Sequence, residues 1–298
     1  MLSQQVQTLL QWSQDFVMPL PIEALEKILS AEAVQGLFTL GLWDAWRDEE
    51  SMQPAAMLNR LAQRLCEDLD ENQERMLAQK LLSPLWAVWQ PVEQRSLQAD
   101  YQLIRLAVRV VNTEVLQDAA GYGVRWAQNN ISFTEAKALG LKSIECLEKD
   151  NIEPDNRLLR FTAESCQRVG GQGDIEQAFE LHQRRLNILP EDKEWERAVA
   201  AGGLADILQS RGQLDEALRI RETEQLPVYE RLGDALQYLI VQAKIAMLLM
   251  EFKPPYRSRH PEANQLLCEA LHAAQQMRIP EAEQIQQILQ HFDMQCTE

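Results

Sequence analysis

The chain has 298 residues, 46% hydrophobic and 25% charged, with a formal net charge of −16, a composition that excludes a disordered polypeptide. Gly and Pro number only 12 each, too few for a many-turned β-sandwich or barrel, whereas 33 Gln with abundant Leu, Ala, Glu and Arg favour an all-α protein. The charge is −6 up to residue 112 and −10 beyond it, which disfavours nucleic acid and anionic membrane as partners because both carry the same sign.

Residues 1–20 hold no Lys or Arg and interrupt any apolar run with Gln, Trp and Asp, so a signal peptide is not expected. No segment reaches the roughly 18 consecutive apolar residues of a membrane span. Five cysteines, Cys66, Cys146, Cys166, Cys268 and Cys296, form no CxxC pair, and their odd number fits a reducing compartment. A cytoplasmic location follows as an expectation.

Residues 1–112 form a Trp-rich region with five of the seven tryptophans: Trp12, Trp43, Trp46, Trp86 and Trp89. The pairs at spacing three, Trp43 with Trp46 and Trp86 with Trp89, are each predicted to share one helix face and to build an aromatic core. Breaks at residues 19–21, 51–54, 83–84 and Pro91 predict five or six helices, either a separate domain or divergent repeats of the architecture that follows. The acidic runs at 48–50 and 67–74 lack the spacing of a calcium loop and are expected to be solvated surface.

From residue 113 a short pattern recurs around Ala136, Ala178, Ala217 and Ala263, alanines separated by 42, 39 and 46 residues. A helical segment precedes and another follows each one: 114–129 then 135–149, 157–169 then 175–189, 197–209 then 214–225, and 235–251 then 261–277. Helix, tight turn, helix, repeated, is the mark of an α-solenoid. Gly173 and Gly212 stand where a left-handed residue would end the first helix of a pair. Asp174, Glu176, Asp215 and Glu216 open the second helix, where negative charge suits the dipole. The alanine lets the two helices approach closely.

These residues resemble the tetratricopeptide repeat family, in its longer-period bacterial variety, over residues 113–277. Leu204, Ala205, Leu208, Gly212 and Ala217 match its packing and turn positions, as do Cys166, Val169, Gly173, Ala178 and Pro190, and Ile245, Ala246, Leu249, Ala263 and Ala270. Arg221 and His182 depart from it, standing where a bulky apolar residue is usual. The resemblance implies a right-handed α-solenoid, with residues 278–298 as a capping helix and tail that shields the last repeat.

No catalytic constellation is evident. The Gly-rich stretch 170–173 lacks the Lys and Ser/Thr of a phosphate loop, and Cys268 with His272, one helical turn apart, is two ligands short of a zinc site. No catalytic residue, metal or cofactor is therefore expected. The resemblance places a partner-binding groove on the first helix of each pair, lined by Asp118, Arg125, Gln128, Asn129, Arg160, Gln167, Asp206, Gln209, Ser210 and Met247. Small residues at Gly121, Ala163, Gly202 and Ala243 predict an open groove floor. Lys253, Tyr256, Arg257 and Arg259, on a basic insertion, are expected to neutralise neighbouring carboxylates, with a secondary contact for an acidic partner as the alternative. The expected function is that of an adaptor, scaffold or regulatory subunit that holds a segment of another protein. By analogy with the family in bacterial signalling and defence, that protein is a peptidase or nucleotide hydrolase. A peptide- or small-molecule-sensing regulator, and a nucleic-acid-associated regulator, are the alternatives.

Overall fold

The computed structural model describes residue 16 and residues 18–47, 54–59, 70–90, 95–251 and 260–296. The chain divides into two compact units, Met1–Val169 and Gly170–Glu298.

The first unit opens with a feature that composition did not announce. β1 (Leu20–Pro21), β2 (Trp43–Arg47) and β3 (Pro54–Leu58) make a small antiparallel sheet in the order β1-β3-β2, with α1 (Ile22–Glu26) and α2 (Ala31–Thr39) between the first two strands. The register pairs Trp43 with Leu58, Ala45 with Ala56 and Arg47 with Pro54. This corrects the reading of residues 43–46 as a helix. In a strand, residues three apart point to opposite faces, so Trp43 is buried against the edge of Phe38 at 6.2 Å while Trp46 is 53% exposed.

Next come α3 (Glu71–Trp89) and α4 (Leu97–Val110), which pack together. Asp70 opens α3 with a reciprocal capping box to Gln73, so the described end of the acidic run 67–74 serves as a helix start. The break expected at residues 83–84 does not occur, because α3 runs through Pro84 to Trp89. A helix pair thus precedes the first expected repeat, and the boundary expected at residue 112 falls inside the first compact unit, where α4 packs on α5 (Thr113–Asn130). Residue 112 itself is a cap, its Asn side chain accepting the Val115 N–H at 3.0 Å.

The first expected repeat forms as read: α5 turns through Ser132, which caps α6 (Phe133–Lys149), and the two helices pack. α7 (Asn156–Val169) closes the first unit and α8 (Gln172–Ile188) opens the second, so the expected second repeat contributes one helix to each. In the second unit follow α9 (Glu194–Ser210), α10 (Leu214–Ile220), a π-helical turn Arg221–Gln225, α11 (Leu226–Leu232), α12 (Ala235–Glu251), α13 (His260–Met277) and α14 (Glu281–His291).

The four repeat alanines, Ala136, Ala178, Ala217 and Ala263, are all fully buried, as the requirement for close helix approach predicts. Gly212 ends α9 at φ +74°, as expected. The corresponding residue after α7 is Gly170, at φ +77°, and not Gly173, which lies inside α8. The second core gathers Leu204, Ala205, Ala217, Tyr229, Ile245, Leu249, Ala263 and Ala270, with Ile285 and Leu289 of α14 packed on it.

The helix expected over 214–225 is interrupted. Pro227 has no N–H and its ring crowds the preceding turn; just before it, the Leu226 N–H reaches five residues back to the Arg221 carbonyl. The extra residue in this turn rotates Arg221 and Gln225 inward, and both are buried.

Candidate functional site

The residues expected to line a groove lie on α5 and α7 in the first unit and on α9 and α12 in the second. In the first unit the face of α5 carries Asp118, Arg125 and Asn129. Asp118, half-buried, pairs with Arg95, whose side chain is buried. Arg95 also lies 2.6 Å from the carboxylate of Asp100 and stacks over Trp86 at 5.0 Å. Burial pushes the Asp100 carboxyl up to about 7, against the pull of the Arg95 guanidinium. This buried cluster had no signal in the sequence, because its three charged residues come from a loop and two helices and follow no local pattern.

Arg125 is exposed and lies 5.5 Å from the ring of Phe161, which Arg160 flanks from 5.4 Å. Arg160 is held by Glu164 at 2.8 Å. Among the described residues no carboxylate pairs with Arg125, and Asn129, one turn further along the same exposed face, makes no side-chain hydrogen bond. Gln128 behaves otherwise. Its Nε2 donates to the Phe161 carbonyl at 2.7 Å and to Ser165 Oγ at 2.9 Å, so it ties α5 to α7 and is not available to a ligand. Gln167 is half-buried on α7.

In the second unit Asp206 of α9 receives Lys244 Nζ of α12 at 2.9 Å on both oxygens and also binds Arg221 of the π turn. Burial pushes the Asp206 carboxyl up, yet Lys244 and Arg221 together outweigh that and hold it below its ordinary value. Arg221 also donates to Gln225 at 3.0 Å, while its buried Nε has no partner among the described residues. The polar residue at the position where a bulky apolar one is usual is thus the centre of a charge network. Gln209 donates to Glu251 at 2.6 Å, Ser210 bonds the Ile207 carbonyl of its own helix at 2.7 Å, and Met247 is half-buried on α12. Lys253, Tyr256, Arg257 and Arg259 lie outside the described residues.

The open floor expected from the small residues is not found. A Cβ on Gly121 would lie 2.7 Å from Cβ of Arg157, and one on Gly202 would lie 2.2 Å from Nε2 of Gln225. Ala163 is fully buried and Ala243 is 7% exposed. The small residues admit a neighbouring helix, which takes the space a ligand would have used.

The cysteine reading also changes. Cys268 of α13 is bonded to Cys296, and Cys146 and Cys166 are buried thiols. Pairing removes Cys268 as a metal ligand beside His272, and it removes the cysteine argument for a cytoplasmic setting. No group of three or more His, Cys, Asp or Glu among the described residues is placed to hold a metal ion, and no described helix is long and apolar enough to cross a membrane.

Two helix pairs, α5 with α6 and α9 with α10, each close at a tight turn and pack on a fully buried alanine, Ala136 and Ala217, to form the repeat. The repeat is tetratricopeptide-like. No family model matches the chain, and no curated protein sequence matches it either. Among solved structures it is similar to a signal transduction ATPase with numerous domains and a tetratricopeptide repeat sensor from Pyrococcus horikoshii, at 14% identity and a TM-score of 0.47. That match covers 98% of this chain but only 42% of the other. It is also similar to a putative kinesin light chain with nearly identical TPR-like repeats from Podosopora anserina, at 16% identity, a TM-score of 0.46 and coverage of 70% and 96%. A variant of the latter matches at 14% identity and a TM-score of 0.46, with coverage of 70% and 95%.

Proposed function

We propose that the protein binds a segment of a partner protein along the exposed face of α5 and α7, as an adaptor, scaffold or regulatory subunit without chemistry of its own. The observation that carries this reading is Arg125. On a chain of net charge −16 it stays exposed over an aromatic ring, with no carboxylate paired to it among the described residues and with Asn129 beside it. A guanidinium so placed is a ready partner for a carboxylate on the incoming segment. The family resemblance adds a peptidase or a nucleotide hydrolase as the partner class.

The test is capture from native extract by wild type and by Arg125→Glu/Asn129→Asp, followed by titration of the purified partner. The proposal expects a partner that the variant binds at least tenfold more weakly while its circular dichroism stays unchanged. Equal affinity for both proteins would sink it.

A further inference from the structure

The disulfide in the second unit closes a specific loop. Cys268 and Cys296 have Cα atoms 5.5 Å apart and stand 28 residues apart in sequence, so the bond encloses the turn at 278–280 and the whole of α14. α14 covers the end of the last helix pair through Ile285 and Leu289, which are 2% and 4% exposed. Asn264 Nδ2 also donates to the Gln295 carbonyl at 3.3 Å, and Met294 packs against the core. Asn264 and Cys268 both line a groove of about 590 Å³ along α13, together with Pro261, Gln265, His272 and Gln276. The tail is thus strapped to the lining of a polar groove by one covalent bond and one hydrogen bond.

The sulfurs differ in access. Cys296 is exposed and Cys268 is half-buried, whereas the free thiols Cys146 and Cys166 are buried. Thiol exchange requires a thiolate to reach a sulfur, so exposed disulfides are the labile ones.

We propose that Cys268–Cys296 is a thiol-reducible latch on the C-terminal cap, opened by a small dithiol, which frees the tail from α13. A thiolate of the dithiol attacks the exposed Cys296 Sγ, and Cys268 leaves as a thiolate that takes a proton from water. The second thiol of the reagent then displaces Cys296 from the mixed disulfide. The dithiol is oxidised to its disulfide, and the protein gains two thiols. Ile285 and Leu289 keep α14 seated, so opening loosens the cap and leaves the rest of the unit folded.

Protein purified without reductant is alkylated in its folded state before and after dithiothreitol, digested and mapped by mass spectrometry, with amide exchange followed in parallel. The latch requires a cross-linked Cys268–Cys296 peptide before reduction and alkylation of both residues after it, with Cys146 and Cys166 still unlabelled. Exchange across 281–291 must rise tenfold or more on reduction, and Cys296→Ser must reproduce that rise and respond no further to dithiothreitol. Alkylation of both cysteines without dithiothreitol overturns the proposal. So does a bond that survives dithiothreitol until the chain unfolds, or unchanged exchange in the reduced protein or in Cys296→Ser.

Discussion

Replacing Asp206 with Ala strands a buried charge. The Arg221 side chain is fully buried, and without Asp206 it keeps one neutral acceptor, Gln225 at 3.0 Å, while Lys244 stands nearby with its own partner gone. Removing one member of a fully buried pair costs about 3–5 kcal/mol. The side chains of Asp206 and Lys244 are 40% and 34% exposed, so water relieves part of this, and a loss of about 2–3 kcal/mol is the reasoned value. Arg221→Met restores a bulky apolar side chain at the position where the repeat ordinarily carries one. The double variant Asp206→Ala/Arg221→Met should therefore return to within about 1 kcal/mol of wild type. Urea unfolding followed by circular dichroism reads both quantities from the midpoint and slope. A single variant within about 0.5 kcal/mol of wild type, the ordinary range for a surface change, would refute the reasoning, as would a double variant no more stable than Asp206→Ala.

Three further outcomes follow from the packing and the charges. Ala217→Leu places extra methylenes in a fully buried contact and should cost about 1–3 kcal/mol or more in urea unfolding, whereas Gln177→Leu, at an exposed site on α8, should cost little. Gln128→Ala removes two hydrogen bonds between α5 and α7 and should cost about 1–2 kcal/mol of stability while leaving partner affinity unchanged. The Asp100 carboxyl, pushed up to about 7 from 3.8, makes the folded chain hold a proton that the unfolded chain releases. Its contribution is therefore present below the unfolded value and is lost as pH rises toward 7, a decline that Asp100→Asn should flatten in midpoints measured across that range.

The repeat was legible because its signal is local and periodic: a turn, an acidic helix start and an alanine that packing demands, which recur at similar spacing. Ala136, Ala178, Ala217 and Ala263 are each fully buried for that reason. The sheet was not legible. Trp43 and Trp46 stand at a spacing that suits a helix face, and only pairing with Pro54–Leu58 makes the segment a strand. The groove lining was read only as far as helix identity. Arg125 and Asn129 are exposed, whereas Gln128 faces α7 and Gly121 and Gly202 meet neighbouring helices, because which side of a helix a neighbour covers depends on tertiary packing. The Arg95–Asp100 and Arg221–Asp206 pairs were invisible for the same reason, although Arg221 had already marked itself by standing at an apolar position. Cys268 and Cys296 lie 28 residues apart, a separation that names no partner until the cap folds back.

The most direct test of the binding face is a photo-reactive amino acid placed at Asn129, with the exposed Lys149 on α6 as the control site. The account predicts one discrete protein adduct from position 129 in native extract, none of the same mass from position 149, and loss of the adduct when Arg125→Glu is added. No adduct from position 129, or the same adduct from both positions, would contradict it.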